Sequence, residues 1–252
     1  MKVCFNGCSF TVGIGFDIDQ REVYIYDRLL EKKFQFNRTN IAYSGSSNYT
    51  IFMRSAQAIL AGEYDVLVTQ WTAMNRLWLY PGPDTEFFVN DYRGTDYNYR
   101  HIYINAKDKK KLQDTLRVLN GDYHNILYLI TFTRILTTMA QTNSIKLVFV
   151  NGLVPWQNDL VTPLTTDLSS SLSEYSKQIL DFNNRDDSEI IKFFQNLQQS
   201  ANNLDLSLWV NPFNSWKSNI IDVGPQGHHP GIQSHKWMAD LVSKHFVENQ
   251  IL

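Results

Sequence analysis

The sequence predicts an α/β protein, a sandwich of helices around a mostly parallel sheet, and three observations predict it. A strand, a glycine-bearing loop and a helix follow one another twice within the first 62 residues. The run YDVLVTQW from Tyr64 is almost continuously apolar, as a central parallel strand covered on both faces must be. Strands then keep alternating with helices to the end of the chain, the pattern of crossover connections rather than hairpins.

Lys2 to Asn6 reads as the first strand, β-favouring at Val3 and Phe5, and Asn6-Gly7 is turn chemistry that ends it. Gly13 and Gly15 follow closely, so this loop can adopt left-handed dihedrals or approach a ligand without a Cβ in the way. DIDQREVYIYDRLLEKKF spaces Val23, Tyr26, Leu29 and Leu30 along one helix face, with Asp17 or Asp19 as its N-cap. RTNIAY is a second short strand that stops at Ser44-Gly45. The next helix, SSNYTIFMRSAQAILAG, is capped by Ser46 or Ser47 and stopped by Gly62. The third strand is YDVLVTQW, and SIKLVFVNG from Ser144 is a fourth. Helices are expected at Lys107 to Leu119, at Tyr123 to Thr142, twice within Ser171 to Asn203, and in the last stretch, HKWMADLVSKHFVENQIL. Between Trp78 and about Ala106 the pattern gives way to a polar, aromatic-rich segment around Pro81-Gly82-Pro83, read as an insertion or lid at about 78–106 of a single domain spanning 1–252.

With 252 residues, 43% of them hydrophobic, the chain can bury a sizeable core. A net charge of -2 from 23 basic and 25 acidic residues offers no electrostatic footprint for a nucleic-acid backbone, so no nucleic-acid partner is expected. Cys4 and Cys8 are the only cysteines; four residues of strand separate them by roughly 13 Å, which argues against a disulfide. The N-terminus has no basic flank followed by a long apolar run, and ILYLITFTRILTTMA from Ile126 is too short to span a bilayer and carries Arg134. A cytoplasmic chain without a membrane span is expected.

Ligands of open parallel sheets bind beyond the carboxyl ends of the strands. Those ends carry Gly7-Cys8-Ser9, Ser44-Gly45-Ser46, Trp71 to Asn75, and Asn151-Gly152. The spacing of Gly7, Gly13 and Gly15 fits neither GxGxxG nor GxxxxGK[ST], which argues against nucleotide binding. His228, His229, His235 and His245 match no zinc spacing, and His235 and His245 read as helix-surface residues, so neither a metal nor a cofactor is expected. Nucleophilic catalysis fits better. A serine hydroxyl needs a base, and DVGPQGHHPGIQSHKWMADL supplies His229-Pro230 on a Gly/Pro-rich loop before the last helix. Cys8 is a rival nucleophile, since a thiolate is intrinsically stronger.

These blocks together resemble the SGNH (GDSL-type) hydrolases. Gly7-Cys8-Ser9-Phe10 stands where Gly-Asp-Ser is usual, and Ser9 matches the nucleophile. NIAYSGSS matches the second block, with Gly45 as its oxyanion-hole glycine; DVLVTQWTAMNR is similar to the third, with Asn75 one position late for the oxyanion asparagine. HHPGIQSHKWMADL resembles the last, where His229 matches the base. The family's acid lies three residues earlier, at Gln226 here, and Asp222 is near but out of register. The resemblance implies a flavodoxin-like α/β/α fold and hydrolysis of an acyl or acetyl ester, carbohydrate esters included, with Ser9, His229 and Asp222 catalytic and Ser9, Gly45 and Asn75 forming the oxyanion hole. A catalytically silent scaffold that binds a carbohydrate or a partner is the alternative. Trp71, Trp78, Tyr80 and the rings of the insertion are candidates for a substrate platform beside the serine.

Overall fold

Each strand sorts its side chains onto two faces, and that alternation decides which helices it meets. The computed structural model describes residues 1–72, 122–152 (backbone alone at 122–126), 196, 199–200, 203–211, 215–225, 227 and 229–252. Strands β1 (Lys2–Asn6), β2 (Asn37–Asn40), β3 (Val66–Trp71), β4 (Lys146–Asn151) and β5 (Trp209–Val210) form one sheet. Its order is β2-β1-β3-β4-β5, with every pairing parallel. This is the flavodoxin-like doubly wound order, in which the chain reverses its direction of winding between β1 and β3.

Cys4, Leu67, Leu147 and Phe149 face one side of the sheet and pack on helices α4 (Asn48–Ala61) and α5 (Asp122–Thr142) through Ile51, Ile59, Ile130 and Leu136. Val3, Phe5, Val66, Val68, Val148 and Val150 face the other side. There they meet Tyr26 and Leu30 of α3 (Tyr26–Phe34) and Met238, Val242 and Phe246 of α6 (Ile232–Glu248). The result is a three-layer α/β/α sandwich. β5, absent from the expected strands, has only two residues, too few for an alternation to be visible.

The helix expected from Asp17 onward is two helices. Asp17 caps α2 (Ile18–Tyr24) by accepting from Gln20 N at 2.9 Å, and Ile25 then adopts an extended conformation before α3 begins. The helix after β2 starts with Ser47 as N-cap, its Oγ accepting from Thr50 N at 3.2 Å, and ends at left-handed Gly62. The helix expected near 107–119, the insertion at about 78–106 and most of the segment 171–203 lie outside the described residues.

The edge strand β2 is fastened by a buried charge. Asp27 of α3 is fully buried, and its carboxylate accepts from Arg38, from Asn40 Nδ2 at 2.7 Å and from Arg28 N at 2.9 Å. Asn40 Nδ2 also reaches Thr11 O at 3.0 Å. One carboxylate thus joins α3, β2 and the loop after β1. Removing one member of a buried pair leaves the other charge uncompensated. Arg38→Ala is therefore expected to lose about 3–5 kcal/mol of unfolding free energy in a urea titration; an unchanged midpoint would show that water solvates Asp27 once the arginine is gone.

Candidate active site

The site lies where the topology puts it, at the β1/β3 reversal. Past Gly7, Cys8 takes an extended conformation as N-cap and Ser9 opens the short helix α1 (Ser9–Val12). Ser9 is only 4% exposed, and among the described residues neither its hydroxyl nor its backbone N–H makes a hydrogen bond. Beneath this turn, β1 is anchored to α4: Asn6 Nδ2 donates to Ile51 O at 2.7 Å and to Ser55 Oγ at 2.9 Å, while Asn6 Oδ1 accepts from Gly7 N.

The second loop continues β2 alongside β1, with Ile41 N donating to Phe5 O at 2.8 Å and Tyr43 N to Gly7 O at 3.2 Å. Gly45 follows in a turn with φ +78°, a conformation that disfavours any side chain, and its N–H is also without an acceptor among the described residues. The helix this loop enters supplies Asn48, whose amide grips the end of β3: Thr72 N donates to its Oδ1 at 2.8 Å, and its Nδ2 donates to Thr72 O at 3.3 Å. A groove of about 400 Å³ borders the loop, lined by Tyr43, Arg54, Gln57 and Tyr64 among others.

The third loop comes from the far end of the chain. Gly224 N donates to His229 O at 2.9 Å and Gly231 N to Asp222 O at 2.9 Å, which pairs 222–224 with 229–231 in antiparallel fashion. It packs on the first loop backbone to backbone: a Cβ on Gly224 would fall 2.3 Å from Gly15 O, and one on Gly15 would fall 2.9 Å from Pro230 O. This contact sets the His229 ring against Phe10, the neighbour of Ser9, with centroids 5.9 Å apart. His229 Nδ1 lies 3.3 Å from Gly227 O. A carbonyl only accepts, so the contact is a hydrogen bond in the tautomer that carries its proton on Nδ1, and in that tautomer Nε2 is the acceptor.

Asp222 has an occupation other than the one its nearness to His229 suggests. Its carboxylate accepts from Gln233 N at 3.0 Å, Ser234 N at 2.8 Å and Ser234 Oγ at 2.8 Å, and so caps α6 from outside the helix. Burial pushes this carboxyl up, but the Gln233 and Ser234 bonds and nearby His235 together outweigh it and hold the group below the usual carboxylate range. Asn75, Gln226, His228, Trp78 and Tyr80, also singled out in the sequence, lie outside the described residues.

Behind Phe10 stands a wall of rings: Trp216 packs edge-on against Phe10 at 5.4 Å, Tyr26 at 5.3 Å and His235 at 4.8 Å. His235, expected on a helix surface, is fully buried, and His245 is buried too. The reason is a helix start that needs an acceptor. His235 Nδ1 accepts from Tyr26 N at 3.2 Å, which satisfies the first N–H of α3 and explains why α2 and α3 part at Ile25. Burial holds His235 down to about 3, against a smaller upward pull from Asp222.

The structure brings Ser9, Gly45 and His229 to one edge of the sheet. It joins Ser9 and His229 by no direct hydrogen bond, and it gives Asp222 to α6. Sequence reasoning missed Asn48, one more polar residue in the run Ser44 to Thr50, and Gln70, whose only signal was a polar residue inside a mostly apolar strand. Among the described residues no three His, Cys, Asp or Glu side chains gather to hold a metal, no helix is long and apolar enough to cross a membrane, and Cys4 and Cys8 are free and buried.

No protein-family model matches the chain, and no curated protein does. Among solved structures it is similar to TesA at 13% identity over all of both chains, TM-score 0.46. It is also similar to the psychrotrophic esterase EstA of Pseudoalteromonas sp. at 12% identity over 98% of this chain and 97% of that one, TM-score 0.42. A third likeness is to the acetyl xylan esterase Axe2 of Geobacillus stearothermophilus at 10% identity over 97% and 93%, TM-score 0.44. Likenesses this distant carry no functional argument; the sheet order and the residues at its edge do.

His235 makes stability depend on pH. It stays neutral in the folded chain to about 3 but takes up a proton near 6.5 when unfolded, so the unfolded state binds more protons between those values. Folding free energy is expected to fall as pH drops through that window, by up to about 1.4 kcal/mol per pH unit from this group. Urea titrations at several pH values on wild type and His235→Gln check it: equal slopes for the two would mean that His235 titrates normally.

Proposed function

We propose that the protein is an SGNH-type serine hydrolase that cleaves an acyl or acetyl ester. The observation that carries this reading is the setting of His229: its Nδ1 lies 3.3 Å from Gly227 O, a hydrogen bond when Nδ1 bears the proton, and in that tautomer the Nε2 lone pair can take one. Nε2 removes the Ser9 Oγ proton as Oγ attacks the ester carbonyl carbon, and the carbonyl oxygen becomes an oxyanion. The N–H groups of Ser9 and Gly45, without an acceptor among the described residues, receive it, with Asn75 as a third donor; each such donor is typically worth about 2.7–4 kcal/mol. His229 then protonates the departing alcohol. Water, deprotonated by the same nitrogen, attacks the acyl carbon; the bond to Ser9 Oγ breaks, the proton returns from His229 to Oγ, and the acyl group leaves as the carboxylic acid. Resting distances need not be those of the reacting complex, because such bonds often tighten only when substrate is bound.

One observation favours a second reading, a catalytically silent scaffold that binds a carbohydrate or partner. Ser9 Oγ has no hydrogen bond among the described residues, and the nearest acid in sequence, Asp222, serves a helix.

A fluorophosphonate is expected to label wild-type protein on Ser9, mapped by peptide mass, and Ser9→Ala should bring p-nitrophenyl acetate turnover down to background, since such losses reach about 10⁶ in serine proteases. Equal turnover by the two proteins selects the binding reading. Asp222→Asn separates orientation by Gly227 from orientation by an acid: kcat is expected to change less than about ten-fold, against the ~10⁴ lost when a triad acid is neutralised. A loss near the larger figure would return Asp222 to the catalytic set.

A further inference from the structure

Gln70 is fully buried at the fifth position of β3, between β1 and β4, and its side chain reaches under the turn that carries Ser9. Its Nε2 donates to Cys8 Sγ at 3.2 Å, and its Oε1 accepts from Thr11 Oγ1. Cys8 precedes Ser9 and Thr11 lies two residues after it, so a single amide holds the turn on both sides of the serine. Space for that amide exists only because its neighbours lack side chains. A Cβ on Gly152 would fall 1.8 Å from Gln70 Nε2, and one on Gly7 would fall 2.4 Å from Thr11 Oγ1 and 3.0 Å from Gln70 Oε1. A buried amide is tolerated when both of its ends are bonded, and with both bonded it is rigid. Among the described residues Asn40 also reaches the Thr11 carbonyl, and the Tyr26 hydroxyl lies beside the Thr11 side chain.

We propose that Gln70 is the positioning residue of the Ser9 turn: by gripping Cys8 and Thr11 it fixes the Ser9 hydroxyl and N–H relative to the Gly45 loop and His229. The proposal rests on the acyl-transfer reading for its consequence in rate, although the grip itself is independent of that reading. It ranks above a merely structural role because the two bonded residues flank the nucleophile and because misplacing a reacting group by about 1 Å can cost about 10² in rate.

The test combines Gln70→Leu, Thr11→Val, Thr11→Ser and the double variant Gln70→Leu/Thr11→Val. Three quantities are read: the rate of fluorophosphonate labelling of Ser9, kcat and KM for p-nitrophenyl acetate, and the rate of iodoacetamide alkylation of Cys8 in native protein, mapped by peptide mass. Gln70→Leu and Thr11→Val are each expected to slow labelling and lower kcat by about ten-fold or more, with KM nearly unchanged and Cys8 alkylated faster. Thr11→Ser, which keeps the hydroxyl, is expected to stay within about two-fold of wild type, and the double variant to be no worse than Gln70→Leu alone. Wild-type labelling and alkylation rates in both Gln70→Leu and Thr11→Val overturn the proposal, as do losses that multiply in the double variant. If Gln70→Leu does not fold, the Thr11 pair decides, and equal rates for Thr11→Val and Thr11→Ser overturn it. Should wild-type protein take no label and hydrolyse nothing, the acyl-transfer reading falls by itself; Cys8 alkylation then decides the grip, and unchanged rates overturn it.

Discussion

The site depends on a place where two stretches of backbone touch with no side chain between them. Gly15 and Gly224 come from opposite ends of the chain, and a Cβ on Gly224 would meet the Gly15 carbonyl at 2.3 Å. That approach is what carries the 222–231 loop, and with it His229, to the carboxyl edge of β1. The sheet does the rest. With the order β2-β1-β3-β4-β5, the loops after β1 and β2 open beside the end of β3 at the winding reversal. Asn6 and Asn48 tie the ends of β1 and β3 to the same helix, α4, so these loops share one rigid support.

Helix ends around the site are satisfied by side chains from elsewhere in the chain. Asp222 caps α6 and His235 caps α3, whereas Ser47 caps its own helix α4. Tertiary caps bind layers together, because the helix loses its terminal bond if its neighbour moves. They also explain the electrostatic character of the edge. The acid closest in sequence to His229 is directed at backbone N–H groups, the buried imidazole behind the ring wall is neutral, and the floor beneath Ser9 consists of an amide, a hydroxyl and a thiol.

What was legible in the sequence was whatever depends on local pattern. The apolar runs of β3 and β4, the Ser47 and Gly62 boundaries of α4, and the glycine turns after β1 and β2 all lie where the residues place them. The loops bearing Ser9, Gly45 and His229 could be recognised because Gly and Pro punctuate them. What escaped is what depends on partners distant in sequence. The break at Ile25 follows from His235, 209 residues away from Tyr26. Asp222 has neither helical nor strand periodicity of its own; its target is the start of the following helix. Gln70 sits in a strand that reads as hydrophobic, and nothing nearby announces that its amide faces Cys8 and Thr11. The two-residue β5 is a strand only because β4 lies beside it.

The volume occupied by Gln70 has an evolutionary corollary. Gly7, Gln70 and Gly152 share one packing space, so they can drift only as a group. A glycine gaining a methyl must wait for the glutamine to shrink, and a glutamine that shrinks leaves a thiol and a hydroxyl without their common anchor. Lineages descending from this arrangement therefore face a narrow corridor in which the order of mutations matters, and sequences that keep one of the three should keep all of them.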